Sequence, residues 1–366
     1  MRGFPYSVHC MHSDVTFCST ADGTKLALST QGAGSDIVIA PVHFCEDLNA
    51  PGPASRPWLN ALLPCARVTR FDTRGCGLSD RDATRFTLDA WVEDLDAVVR
   101  TLGSGPVALV AHSQGAPLAV HFASMHPERV SRLVVYGGYV RGRSRRDSSD
   151  AQVQETKAQR EAILAGWGNN TPYSAAFRRV FITRFFPHAS DELLAELDAA
   201  TCRRWSGDVL LAYSSAGWEI DVSEQARSVR CPSLIFHATR DQAFPLDEGR
   251  RLAALIPGSR FIPVESENHV PLESDPQLTD IMREVKAFLG LEEGNGVARA
   301  SPNALTPRQI EVLRLIAADQ TDKQIARSLG LSPRTVEMHV GHALEALHCR
   351  SRAQAVRTAV EFRLLD

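Results

Sequence analysis

Three residues far apart in the chain have the types needed for acyl transfer. Ser113 follows the apolar run 107–111, in the order Ala111-His112-Ser113-Gln114-Gly115. Small residues on both sides suit a sharp strand-to-helix elbow, which lifts a serine hydroxyl above the edge of a sheet. That hydroxyl is a weak nucleophile until a base takes its proton. Asp241 follows the strand-like run 233–237, and His269 follows the strand-like run 260–264. The order serine, acid, histidine assigns attack to Ser113, proton transfer to His269 and orientation of the imidazole to Asp241. Asp247 and Glu248 are poorer acids by position, since they lie further along in the following helix. An oxyanion at Ser113 needs backbone donors. The N–H of Gln114 is the first. The second is expected from the loop 41–47, with Phe44 the better candidate and His43 next, although this loop contains no glycine.

A different chemistry is written in the last sixty residues. Thr306, Pro307 and Gln309 form a helix start with a capping box. Thr321 and Gln324 repeat it, and Ser332 with Pro333 opens a third helix. Gly330 ends the second helix, so the second and third are joined by a tight turn, as in a helix-turn-helix. Val312, Leu315, Ile316, Ile325 and Leu329 are expected to face inward, with Val336, Val340, Leu344 and Leu347 as the third helix's buried stripe. The other face of that helix carries Arg334, Glu337, Met338, Gly341 and His342, side chains placed to meet base edges. Lys323, Thr335 and Arg352 add to the expected DNA contacts.

The elements that position these residues follow from pattern. Runs 15–19 and 25–29 read as a hairpin around Asp22-Gly23, and runs 37–40, 68–72, 107–111, 132–136, 233–237 and 260–264 as further strands. Helical stretches alternate with them, which gives an α/β class: a mostly parallel sheet covered on both faces. The segment 139–228 interrupts the alternation with helical patterns and large aromatics, among them Trp167, Phe177, Phe181, Phe185, Trp205 and Tyr213. It is expected to form a helical cap, some of whose aromatics line an apolar pocket over Ser113. Residues 291–304 are polar, Gly-containing and aperiodic, hence a linker between domains at 1–290 and 305–366.

Composition narrows the function classes. The 366 residues suit two domains of unequal size. A formal net charge of −3 excludes a chain that coats nucleic acid without specificity, so any DNA footprint is local. No apolar run reads as a signal peptide or a membrane span. The eight cysteines are scattered, without metal-ligand spacing, and fit free thiols in a cytoplasmic protein with neither metal nor cofactor.

The tail resembles the DNA-binding domain of LuxR-type regulators, through Leu305-Thr306, Glu311-Val312-Leu313, Lys323, Ile325-Ala326, Leu329, Ser332, Thr335-Val336, His339-Val340, Leu347, Ser351-Arg352 and Ala355. The resemblance implies a recognition helix over about 333–347 and dimer contacts through a last helix over about 352–362. Glu337, Gly341 and Ala346 stand where relatives often carry lysine, so modest affinity and dependence on a dimer are expected. Residues 15–291 resemble the α/β-hydrolase superfamily, with 70–80 similar to the structural loop after its fourth strand. Together these imply a DNA-binding regulator. Its hydrolase-like domain would sense, and slowly hydrolyse, a small hydrophobic ligand such as an ester or lactone. The alternative is a serine esterase or lactonase that uses the tail for dimerisation.

Overall fold

The computed structural model describes residues 14–40, 48, 51–146, 149–168, 171, 173–291, 305–318, 320–346 and positions 352, 355, 356 and 359. The chain divides into two compact units, 1–292 and 293–366.

The first unit is built on one eight-stranded sheet in the order β1-β2-β4-β3-β5-β6-β7-β8. Its strands are β1 (Val15–Ser19), β2 (Lys25–Gly32), β3 (Asp36–Ala40), β4 (Arg67–Phe71), β5 (Val107–His112), β6 (Val130–Tyr136), β7 (Ser233–Ala238) and β8 (Arg260–Val264). β1 and β2 form the expected antiparallel hairpin, and β2 pairs antiparallel with β4. From β4 to β8 every pairing is parallel. Helices α1 (Arg56–Leu62), α2 (Leu88–Thr101) and α3 (Gly115–Met125) connect the first strands. α4 (Asp150–Ile163), α5 (Ser174–Thr183), α6 (Asp191–Arg204), α7 (Gly207–Trp218) and α8 (Ser223–Ser228) fill the insertion between β6 and β7, and α9 (Leu246–Leu255) and α10 (Leu278–Leu289) close the unit.

Burial explains why β5 is central. Leu109 and Ala111 belong to the apolar cluster on one face of the sheet, and Ala108 and Val110 to the cluster on the other. A strand buried on both faces reads as a continuous apolar run, which is how residues 107–111 appear in the sequence. The aromatics of the insertion mostly pack against each other and the core: Phe181, Phe185, Phe186, Trp205 and Tyr213 are buried, whereas Tyr173 and Phe177 are exposed.

The second unit comprises α11 (Pro307–Ala317), α12 (Asp322–Leu329) and α13 (Pro333–Ala346), followed by helical positions 352, 355, 356 and 359. The Thr306 hydroxyl accepts from the N–H of Gln309, whose side chain accepts from the N–H of Thr306. Gln324 likewise accepts from the N–H of Thr321, and the Ser332 hydroxyl from the N–H of Thr335. Gly330 adopts φ 66° at the end of α12, a left-handed conformation that a side chain disfavours. Val312, Ile325, Val336 and Val340 share one buried cluster, with Leu315, Ile316, Leu329 and Leu344 packed at its margin. Leu313, rather than Leu315 or Ile316, is the second fully buried residue of α11. It faces Leu305, Ala343, Ala355 and Ala359, so α11 is covered on two sides instead of one. Leu347 lies outside the described residues.

Candidate active site and DNA-reading face

Ser113 stands at the turn between β5 and α3 with φ 51°, the only positive value at a non-glycine position among the described residues. Holding a serine there costs about 1–3 kcal/mol, which the surroundings must offset. The Ser113 N–H donates to the Tyr136 carbonyl at 3.1 Å, and its own carbonyl accepts from Ala116 N at 3.0 Å. Gly138 makes room for this elbow, since a Cβ there would run into Val135 and Ala116.

The candidate acid and base follow the two strand ends the sequence indicated. The Asp241 side chain, after β7, is fully buried. Its Oδ1 accepts from the backbone N–H groups of Ala243 at 2.8 Å and Phe244 at 3.0 Å. Its Oδ2 lies 2.6 Å from His269 Nδ1, and a carboxylate oxygen can only accept. Nδ1 therefore carries the proton, which leaves Nε2 bare as the basic atom. Nε2 is buried and has no hydrogen-bond partner. The His269 ring is wedged between Phe185, at 5.5 Å between ring centres, and Phe244, at 5.1 Å. The His269 backbone N–H donates to the Phe185 carbonyl at 2.9 Å, which ties the base to the insertion. Gly137 permits this approach: it has φ 62°, and a Cβ there would sit 2.7 Å from the His269 carbonyl oxygen. Burial pushes the Asp241 carboxyl up, but the charge and hydrogen bond of His269, with His237 and the Phe244 N–H, bring it below its ordinary value. The pair is thus set as a carboxylate facing an imidazole whose Nδ1 carries a proton.

No hydrogen bond joins Ser113 to His269. Catalytic contacts are often long in ligand-free enzymes and tighten when a substrate seats. Ser113 and Gln114 are themselves nearly buried. The side chain of Gln114 reaches the Tyr213 carbonyl at 3.3 Å, so its amide is anchored to α7. His43 and Phe44, the expected second oxyanion donors, lie outside the described residues.

In the helical unit, Arg334, Glu337, Met338 and His342 are exposed together along α13, as their spacing of three and four residues requires. Gly341 between them is half-buried. Lys323 is exposed on α12. Thr335 is only half-exposed and bonds Ser332 through its hydroxyl at 2.7 Å. Arg352 is engaged in both directions with Asp322, at 2.5 and 2.8 Å, which fixes the last helical segment to the start of α12.

Residues 50–276 match the family model of the α/β hydrolase fold, and residues 303–359 match that of the bacterial regulatory proteins of the luxR family. The chain belongs to the α/β-hydrolase fold family, with a LuxR-type DNA-binding domain at its C-terminal end. Among curated proteins, this α/β hydrolase is 29% identical to the RutD protein of Caulobacter sp. (strain K31), over 60% of this chain and 79% of that one. It is 27% identical to the 2-hydroxymuconate semialdehyde hydrolase of Pseudomonas sp. (strain CF600), over 64% and 81%. Among solved structures, the enol-lactonase from Burkholderia xenovorans LB400 superimposes with a TM-score of 0.61 at 21% identity, covering 75% of this chain and all of that one.

Beyond Ser113, Asp241 and His269, the hydrolase unit contains three features that sequence reading did not locate. The first is a cavity of about 640 Å³ bordered by His188, Ser190 and Leu193 of the insertion and by Arg56, Arg240 and residues 265–268 and 272–277. Its lining comes from residues before and after His269 in the chain, includes charged side chains, and does not include Ser113. The second is a latch beneath the insertion. Arg204, the last residue of α6, donates to Asp72 Oδ1 at 2.8 Å and to Cys76 Sγ at 3.2 Å. Asp72 Oδ2 also accepts from Leu78 N, and Arg74 pairs with Asp94 and Asp22, so the 70–80 loop is pinned as its resemblance implied. The third is His237, whose Nε2 lies 3.5 Å from Asp241 Oδ2. In the sequence, Gly249 marks the close approach of α9 to His237, as the doublet Gly137-Gly138 after β6 marks those to His269 and to Val135 and Ala116. Among the described residues no helix is long and apolar enough to cross a membrane.

Proposed function

We propose that the protein is a DNA-binding transcriptional regulator whose hydrolase-like unit takes up a small ligand and reports its presence to the DNA-binding unit. The observation that carries this reading is the presence, on one chain, of a LuxR-type domain and of an Asp241–His269 pair set beside a strained Ser113 elbow. Relatives named for the hydrolysis of small organic molecules support a small molecule as the occupant. The chemistry at the site is acyl transfer. Ser113 Oγ attacks a ligand carbonyl, His269 Nε2 takes the proton, and Asp241 stabilises the resulting imidazolium. The Gln114 N–H faces the developing oxyanion, with Phe44 or His43 as the second donor. Ligands of the ester or lactone type with an apolar body fit this chemistry, and slow release of the acyl group would make the sensor consume its signal. Half-site recognition by a helix-turn-helix domain calls for a homodimer on duplex DNA, in the cytoplasm.

Arg334, Glu337, Met338 and His342 read base edges, while Lys323 holds phosphate. Thr335 and Arg352 are assigned as supports of that face, because their polar groups already have partners in the unit.

The test uses the full chain. Duplexes are selected from a random-sequence pool, and affinity for the winning site is measured before and after stoichiometric reaction with a fluorophosphonate. The expected outcome is one selected site, covalent modification that is lost in Ser113→Ala, and a change in affinity on modification. Failure to select any site removes the regulator. A selected site whose affinity is unmoved by modification removes the sensing. A second reading, an esterase or lactonase with the tail as a dimerisation module, is favoured by the 2.6 Å Asp241–His269 contact. Rapid multiple turnover of simple esters without a selected site would establish it.

A further inference from the structure

Asp241 is faced by two histidines, and only one belongs to the serine, acid, histidine order. His237 is the fifth residue of β7 and has no solvent exposure. Its Nε2 is 3.1 Å from the Phe244 carbonyl oxygen and 3.5 Å from Asp241 Oδ2. Both neighbours are acceptors, so Nε2 carries the ring proton. Nδ1 is buried without a partner, and Gly249 of α9 packs so closely on it that a Cβ there would overlap the ring. Burial also lowers the proton affinity of this imidazole, which keeps it neutral with a single N–H.

The geometry points to His237 as a positioning residue that shares the Asp241 carboxylate with His269, clamping the acid loop and tempering the negative charge that reaches the base. The inference rests on Ser113, Asp241 and His269 forming the reactive set. Its physical content is a partition of one carboxylate oxygen. Oδ2 accepts the short bond from His269 Nδ1, while the His237 N–H donates to the Phe244 carbonyl at 3.1 Å with its nitrogen 3.5 Å from Oδ2. The Phe244 N–H in turn donates to Oδ1, so His237 grips both the acid and the loop that holds it. Each donor on a carboxylate lowers its basicity. A less basic Asp241 stabilises the imidazolium of His269 less, so His269 stays unprotonated, and able to accept the Ser113 proton, to lower pH.

Other groups act on this pair from further away. Arg146 lies over the Phe244 ring at 5.3 Å, and Arg184 donates to the Ala243 carbonyl at 3.5 Å. Glu248, next to Gly249, is turned to Arg141. Tyr136 raises no bond to Asp241, and His112 acts on His269 only through space. None of them donates to the Asp241 carboxylate, which leaves His237 as the one side chain besides His269 within 3.5 Å of it among the described contacts.

The test compares wild type with His237→Phe, which fills the space without the donor, and His237→Gln, whose amide N–H can reach the place of Nε2. Two readouts are taken on the full chain: fluorophosphonate labelling rate against pH, and the downfield proton resonance of the Asp241–His269 bond. In His237→Phe the acid limb of the labelling profile should move to higher pH by about half a unit to one unit, and the resonance further downfield. His237→Gln should restore both. Gly249→Ala, which displaces the ring without removing it, should move both in the same direction as His237→Phe and decides the matter if that variant does not fold. Profiles and resonance unchanged in a folded His237→Phe, or in Gly249→Ala, would overturn the inference, as would a His237→Gln that behaves like His237→Phe. If wild type is never labelled, the reactive-site reading falls on its own, and the resonance still decides whether His237 tempers the acid.

Discussion

The two units solve the problem of placing functional side chains in opposite ways. In the hydrolase unit Ser113, Asp241 and His269 follow three strand ends, and Asp241 and His269 meet in the interior, where their side chains have almost no exposure. In the LuxR-type unit the candidate reading residues Arg334, Glu337, Met338 and His342 lie within nine positions of one helix and face solvent. The first arrangement depends on the whole sheet being in register, and its chemistry depends on exclusion of water. The second depends only on helical period and three caps. A buried site is therefore sensitive to any change in charge or proton, whereas an exposed face can change its residues with little effect on folding.

The contrast can be strained in order of effect. Asp241→Asn should keep the fold but leave His269 in the wrong tautomer, with labelling slower by about 10⁴-fold, read as the rate of intact-mass change. A loss of tenfold or less would mean that the buried pair does not orient the base. Next is acid sensitivity. Burial, with His269 nearby, drops His112 from its ordinary 6.5 to about 3, and neither ring nitrogen has a hydrogen-bond partner. The unfolded chain takes up a proton below pH 6.5 while the folded unit refuses it until about pH 3. Stability should fall as pH drops through that window, by about 1.4 kcal/mol per unit. Between pH 6.5 and 5, His121 and His237, whose proton affinities burial also lowers, add to this slope, and Asp94, raised by burial to about 6, opposes it. His112→Phe should therefore reduce the pH dependence of thermal unfolding of the hydrolase unit by about 1.4 kcal/mol per unit. The helical unit buries no histidine among its described residues and should lack the slope. The smallest effect belongs to the exposed face. Arg334→Ala should leave the melting of both units unchanged, weaken binding to the selected site by about 1–3 kcal/mol and relax sequence preference at one position. A uniform loss across sequences, with the slope of log affinity against log salt reduced by about one, would place Arg334 on a phosphate instead.

How much of this was readable in the sequence follows the same divide. Ser113, Asp241 and His269 stood out as candidates because each follows an apolar strand run, and the strained turn at Ser113 and the Asp241–His269 contact agree with that placing. The caps at Thr306, Thr321 and Ser332 were legible because capping is local. What escaped depends on side chains from distant segments. Nothing in the alternation of β7 says that His237 turns toward Asp241, since that contact is made by the return of the chain at Phe244. Arg204 and Cys76 stand 128 residues apart, and no periodicity links them. Arg352 reads as a free cation until the fold sets Asp322 opposite it. Leu313 was missed because α11 is covered on two faces, and a single amphipathic stripe describes only one.

The bond from Arg204 to Cys76 makes the thiol a clock. Cys76 has no solvent exposure, and burial pushes its ionisation up, so an alkylating reagent meets neither an accessible sulfur nor a thiolate. Its cover includes the end of an insertion helix. The alkylation rate at Cys76, resolved by peptide mass from the exposed Cys202, then counts how often the insertion lifts, and a bound ligand would be timed by how far it slows that count.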